Sequence, residues 1–194
     1  MTMEKIILAS KSPRRSEILK AAGIPFEVVT ADADETAVKS VTAAELTMGL
    51  ASRKLRAVLD RTGDDRLILA ADTLVCRNGE VYGKPKDAAD AERMLTMLSD
   101  GWHEVYTGIA MQKAGKLVID YDVTHVRMRK MGKAEIRAYI ATGEPMDKAG
   151  AYAVQELGSV FVQRLDGSFH NVVGLPICLV CQHLYDDFGI SVLE

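Results

Sequence analysis

Residues Ile6 to Leu19 read IILASKSPRRSEIL, and this stretch constrains the fold more than any other in the chain. Ile6, Ile7 and Leu8 form a short apolar run suited to a buried strand. Ala9 and Ser10 end it. Ser12 then falls where a helix N-cap belongs, and Pro13 takes the first helical position, where its missing N–H costs nothing. The spacing predicts a helix over Pro13–Ala22, stopped by Gly23 with Pro25 just beyond. Arg14 and Arg15 enter its first turn, where the helix dipole favours carboxylates instead. A strand, a Ser-rich loop, exposed N–H groups and two arginines are the parts of an anion site. Two solvated arginines on an ordinary helix would carry the same residues.

The remaining segments extend this into a mixed α/β pattern. Phe26–Val29 reads as a second strand. Ala31–Thr36 (ADADET) is either a solvated acidic loop or a loop that offers a carboxylate to a divalent metal. Thr42 and Glu45 spell a capping box, so a helix starts at Ala43, with Leu46, Leu50, Leu55, Val58 and Leu59 on its buried side. Lys54 lies inside it, and either stays solvated or reaches inward. Leu67–Ala71 is a candidate central strand that ends in Asp72-Thr73, a place where α/β proteins put chemistry, and Leu74–Cys76 continues extended. Asn78-Gly79 is a type I′ turn signal, and Gly83-Lys84-Pro85 closes the hairpin. Pro85 keeps Lys84 on a loop, and the hairpin would return Lys84 towards Asp72.

Further along, Asp87 caps a helix to about Leu98, and Trp102–Gln112 and Leu117–Arg129 read as long strands around Ala114-Gly115. A helix over Lys133–Ala141 stops at Gly143. Residues 143–155 fit neither helical nor strand periodicity and read as a site loop. Val160–Leu165 and Phe169–Val173 are expected to pair as a hairpin around Asp166-Gly167. A last helix is expected over Ile177–Phe188, followed by an edge strand at Ile190–Leu193. The pattern is not a repeated βαβ, and neither G-x-G-x-x-G nor G-x-x-x-x-G-K-[ST] occurs.

The 194 residues suffice for one domain, expected to span 1–194 as two small parts around one core with no separable linker. A net charge of −3 gives no bulk positive field, so nucleic acid is not an expected partner. No run has the apolar length of a membrane span and no signal-peptide core is visible, so the expectation is a cytoplasmic protein without membrane contact. Cys178 and Cys181 have C-x-x-C spacing near His183. With no second ligand pair, they are expected to be small core residues.

The unusual polar positions are the cations Arg14, Arg15, Lys54 and Lys84 and the carboxylates Glu35 and Asp72, mostly at element ends. Such a set suits a polyphosphate with a divalent metal. Arg forks onto phosphate oxygens, Lys acts as a point charge, and few carboxylates are needed to hold Mg²⁺ beside phosphate and water.

In order along the chain stand LASKSPRR (Leu8–Arg15), ADADE (Ala31–Glu35), AADTLV (Ala70–Val75), GKPKD (Gly83–Asp87), HEVYTG (His103–Gly108), GEPMDKAGAY with Gln155, and NVVGLP (Asn171–Pro176). This ordered set resembles the Maf family of nucleoside triphosphate pyrophosphatases. The resemblance implies an α/β fold with an elongated, twisted mixed sheet flanked by helices, two lobes around a cleft, similar to inosine triphosphate pyrophosphatases. It implies hydrolysis of a nucleoside triphosphate to the monophosphate and pyrophosphate with Mg²⁺ or Mn²⁺, and a homodimer. Asp72 would accept a proton, and Glu35 and Asp72 would bind the metal. Arg14, Arg15, Lys54 and Lys84 would hold phosphates, with Ser10 adding a hydroxyl. Arg14, Thr73 and Gln155 match positions associated with substrate choice. Asp72-Thr73 and DKAGAY…Gln155 look like the branch acting on dTTP and UTP. Glu156-Leu157 departs from the family, where many members have glycine after the glutamine. The other readings are a 7-methyl-GTP pyrophosphatase, and a nucleotide-binding regulator of septum formation without significant catalysis.

Overall fold

The computed structural model describes residues 3–33, 42–63 and 65–193. Seven strands form one mixed sheet: β1 (Ile6–Leu8), β2 (Phe26–Val28), β3 (Ile68–Arg77), β4 (Glu80–Tyr82), β5 (Trp102–Lys113), β6 (Lys116–Met128) and β7 (Val162–Asp166). Their order is β2-β1-β3-β5-β6-β7, with β4 paired to β3. β1 runs parallel to both β2 and β3, while the β3–β4 and β6–β7 pairs are antiparallel. The helices are α1 (Pro13–Ala21), α2 (Ala43–Thr62), α3 (Ala88–Leu98), α4 (Lys133–Ala141), α5 (Phe169–Val173) and α6 (Ile177–Phe188).

Local chemistry explains most boundaries. The Thr42 hydroxyl accepts from the Glu45 amide at 3.2 Å while the Glu45 carboxylate accepts from the Thr42 amide at 2.8 Å, which starts α2 at Ala43. Asp87 caps α3 through the Asp90 amide at 2.8 Å, and Ala91, Met94, Leu95 and Leu98 are all buried, as their spacing predicts. Asn78 and Gly79 both take positive φ, 53° and 79°, so the turn between β3 and β4 is the one that asparagine and glycine favour.

The chain divides into two compact units. The first comprises residues 1–72, 107–122 and 174–194. Its core sets Ile7 and Ala9 of the β1 region and Ile68 and Ala70 of β3 against Ala51, Leu55 and Val58 of α2. Alternation along the strands brings these four residues to one face, and α2 presents its apolar stripe to it. The helix comes unusually close at Gly108 on β5, where a Cβ would lie 2.4 Å from the Thr47 carbonyl carbon. In the same unit, His183 of α6 contacts Asp187 at 2.8 Å and Asp120 of β6 at 2.9 Å, and Lys116 pairs with Asp187 at 2.8 Å.

The second unit comprises residues 73–106 and 123–173. The inward face of α3 packs with Val75, Tyr82, Val105, Val126, Met128, Ile136, Tyr139, Tyr152 and Phe161. His103 is buried there, with Nε2 2.8 Å from the Tyr152 hydroxyl. Burial, with the charge of Arg77 added, pushes its pKa down to about 3.

β3 runs unbroken through Asp72 to Arg77, so the apolar run over Leu67–Ala71 and the extended stretch over Leu74–Cys76 are one strand. Three local expectations are corrected. Phe169–Val173 is helix, not strand, with the Asn171 amide donating to the Ser168 hydroxyl at 3.2 Å. No strand forms at Ile190–Leu193. Cys178 is exposed and Cys181 half-buried, because α6 turns Val180 and Leu184 inward instead.

Candidate active site

In the first unit, parallel pairing aligns Ile7 with Ile68 and Leu8 with Leu69, so Ser10 and Asp72 lie just beyond the same end of the paired segment. Asp72 is a buried carboxylate inside a strand whose neighbours are apolar. Its partner comes from α2, where Lys54 Nζ lies 2.5 Å from Asp72 Oδ1. Thr47, Ala51, Leu55 and Val58 mark the buried stripe of that helix, and Lys54, two turns after Thr47, lies on it. The side chains are 20% and 12% exposed, so this pair is largely withdrawn from water, where charge interactions are stronger. Asp72 Oδ2 lies outside that bond. A carboxylate oxygen is the hard donor that Mg²⁺ or Mn²⁺ takes, and such ions complete their shell with phosphate oxygens and water. Glu35, the other candidate metal ligand and catalytic carboxylate, lies outside the described residues.

The loop before α1 is fixed by Arg15. This arginine is 8% exposed, donates through Nε to the Gly174 carbonyl at 2.7 Å, and donates through Nη1 to Ser10 Oγ at 3.0 Å. Ser10 Oγ also accepts from the Ser12 amide at 3.2 Å. Ser12 occupies the N-cap position of α1, but its side chain makes no capping bond. Arg14 is half-buried in the first turn. The structure therefore brings Arg15 to Ser10, and Lys54 to Asp72. The first pair shapes the loop before α1, and the second joins an acid to a base.

The other expected residues belong to the second unit. Thr73 is half-buried on β3, and Lys84 is exposed after β4. Val75 pairs with Tyr82, so Thr73 and Lys84 leave the same end of that ladder. The Gly83 carbonyl accepts from the Gly150 amide at 3.0 Å, which ties the GKP loop to the DKAG segment. Gly150 has φ of 69°, and a Cβ there would lie 2.8 Å from Val75, so only glycine fits this junction.

Residues 143–155 are two tight 3₁₀ turns, Glu144–Asp147 and Ala149–Ala151, followed by the exposed Gln155. Three charged residues that sequence reasoning did not single out for a role hold this loop. Glu144 accepts from the Leu157 amide at 3.0 Å, the Gly158 amide at 2.9 Å and the Tyr139 hydroxyl at 2.7 Å. Lys148, only 7% exposed, donates to the Glu144 carbonyl at 3.0 Å and to Asp147 at 2.7 Å, and lies 3.4 Å from Glu156. Glu156 accepts from Gln155 Nε2 at 3.3 Å. The available signal was a cluster of charges in a stretch without periodicity, where solvated charges cannot be told from buried ones.

A family model described as Maf-like protein matches residues 5–186. The dTTP/UTP pyrophosphatase of Bacillus cytotoxicus is 46% identical over 190 residues, covering 97% of this chain and 99% of that protein. The dTTP/UTP pyrophosphatase of Alkaliphilus metalliredigens is 46% identical over 193 residues, covering 98% of this chain and 100% of that protein. Among solved structures, the Ham1 protein of Staphylococcus aureus aligns at 18% identity with a TM-score of 0.47, over 64% of this chain and 72% of that one.

Proposed function

The chain belongs to the Maf-like protein family, and we propose that it hydrolyses dTTP and UTP to the monophosphate and pyrophosphate. The substrate class is supported by two relatives of that name, alike over nearly the full length. The observation that carries the chemistry is the Lys54–Asp72 pair, a carboxylate inside β3 met by a cation from α2.

In this reading a water attacks the α-phosphorus, the bond from that phosphorus to the oxygen of the β-phosphate breaks, and Asp72 accepts the proton of the water. Arg14, Lys54 and Lys84 stabilise the charge that builds on the departing pyrophosphate. Arg15 and the Ser10 hydroxyl hold the loop that meets the phosphates. Asp72 and Glu35 would hold Mg²⁺ or Mn²⁺. Such an ion supplies charge neutralisation on the phosphates and lowers the pKa of a water bound to it. Arg14, Thr73 and Gln155 select the nucleotide, because a base whose edge mismatches them leaves a buried donor or acceptor unpaired. The reading includes a cytoplasmic location and a homodimer. No helix among the described residues is long and apolar enough to cross a membrane.

The test is pyrophosphate release from dTTP, UTP, CTP, GTP and 7-methyl-GTP, with Mg²⁺ and with EDTA. Metal-dependent release led by dTTP and UTP is the expected result. Release led by 7-methyl-GTP would retain the chemistry and overturn the base assignment. Nucleotide binding without release in excess Mg²⁺ would instead make the protein a nucleotide-responsive regulator.

A further inference from the structure

Gln155 is one of the three residues assigned above to selecting the nucleotide, and a glutamine amide is ambiguous in that role. Rotation by half a turn exchanges its carbonyl oxygen with its NH₂, so it can meet opposite edges equally well. Uracil and thymine offer an N3–H donor beside an O4 acceptor. Cytosine offers an N3 acceptor beside an N4–H₂ donor, the reverse pattern. A freely rotating Gln155 would accept either.

The loop removes that freedom. Glu156 Oε1 faces Gln155 Nε2 at 3.3 Å, and an ionised carboxylate is acceptor-only, so the amide nitrogen must face it. The reversed amide would set oxygen against oxygen. Glu156 is itself oriented, since its Oε2 lies 3.4 Å from Lys148 Nζ. Lys148 is nearly buried, and is fixed in turn by the Glu144 carbonyl and by Asp147. All of these residues lie in the second unit.

We propose that Glu156 is a positioning residue that locks the Gln155 amide in one orientation, with its carbonyl oxygen free to accept from N3–H, and so selects uracil and thymine over cytosine. The inference rests on the pyrimidine-nucleotide reading above. One hydrogen bond to a charged acceptor biases the amide by about tenfold or more. The cytosine-compatible orientation then holds about one-tenth of the population. Freeing the amide raises that share to about half, so cytidine nucleotides gain about fivefold and uridine nucleotides lose about twofold.

The deciding variant is Glu156→Gln. It preserves shape, but Lys148 has only donors and draws the oxygen of the new amide, which turns the new NH₂ toward Gln155 and abolishes or reverses its preferred orientation. The kcat/KM ratio of UTP to CTP and the Kd ratio of UMP to CMP are compared with those of the unmodified protein. Glu156→Asp, which keeps an acceptor-only group, is the conservative control. A ratio that falls about tenfold or more in Glu156→Gln and is largely retained in Glu156→Asp supports the lock. A uniform loss on every nucleotide, with the ratio unchanged, overturns it and leaves Glu156 a merely structural role. If the unmodified protein neither hydrolyses nor binds any pyrimidine nucleotide, the functional reading fails, and the lock falls with it.

Discussion

Asp72 is the residue on which most depends. A carboxylate inside a ten-residue buried strand persists because Lys54 meets it, and both belong to the chemistry proposed. Asp72→Asn keeps the shape and removes the proton acceptor, so kcat is expected to fall by about two orders of magnitude or more. The folded variant should still bind nucleotide. Turnover near that of the unmodified protein would take Asp72 out of the role. Residues of this kind were partly legible beforehand. Lys54 stood four positions after Leu50, on the stripe expected to face inward, although the same residues allowed it to stay solvated. Asp72 interrupted an apolar run. Lys148 gave no comparable signal, because it lies in tight turns that have no period to betray an inward direction. The cysteines failed for the opposite reason. In an apolar helix of twelve residues, hydrophobicity alone did not say which turn of the wheel faces the core.

At the scale of elements, the chain was most readable where a side chain acts on its own backbone. The capping box of α2, the Asp87 cap of α3 and the Asn78-Gly79 turn are local devices, and the structure has all three. Phe169–Val173 was misread because five residues are too few to tell a period of two from one of 3.6, while the Ser168 cap went unnoticed. Contacts between distant elements were invisible. The seat of α2 against Gly108 is the main example, since nothing local marks that glycine as a point of close approach. Gly108→Ala forces the helix backbone away, and overpacking of this kind costs about 1–3 kcal/mol. The expected result is a lower urea midpoint together with reduced kcat/KM, because Lys54 rides on the displaced helix. An unchanged midpoint and unchanged activity would show that α2 has room to spare.

For the molecule as a whole, two histidines set opposite dependences on pH. His103 is held down to about 3 by burial and by Arg77, while an unfolded histidine titrates near about 6.5. The unfolded chain binds the extra proton between those values, so this residue lowers stability as pH falls through that window. Burial also pulls His183 down, but hydrogen bonds to Asp187 and Asp120 outweigh it and the net shift is upward. That contribution is full below about 6.5 and is lost as pH rises through the raised value. Urea midpoints should therefore show His183→Gln costing more at about pH 5.5 than at about pH 9, and His103→Gln flattening the acid fall. An equal cost of His183→Gln at both values would remove the charged link between α6 and β6.

The bond from Arg15 to the Gly174 carbonyl spans 159 positions of sequence. At a synthesis rate of roughly 5–20 residues per second, its two ends leave the ribosome about 8–30 s apart. For that interval a nascent chain carries Arg14 and Arg15 without the carbonyl that fixes one of them. A segment made well before its partner is thus among the last to reach its final form.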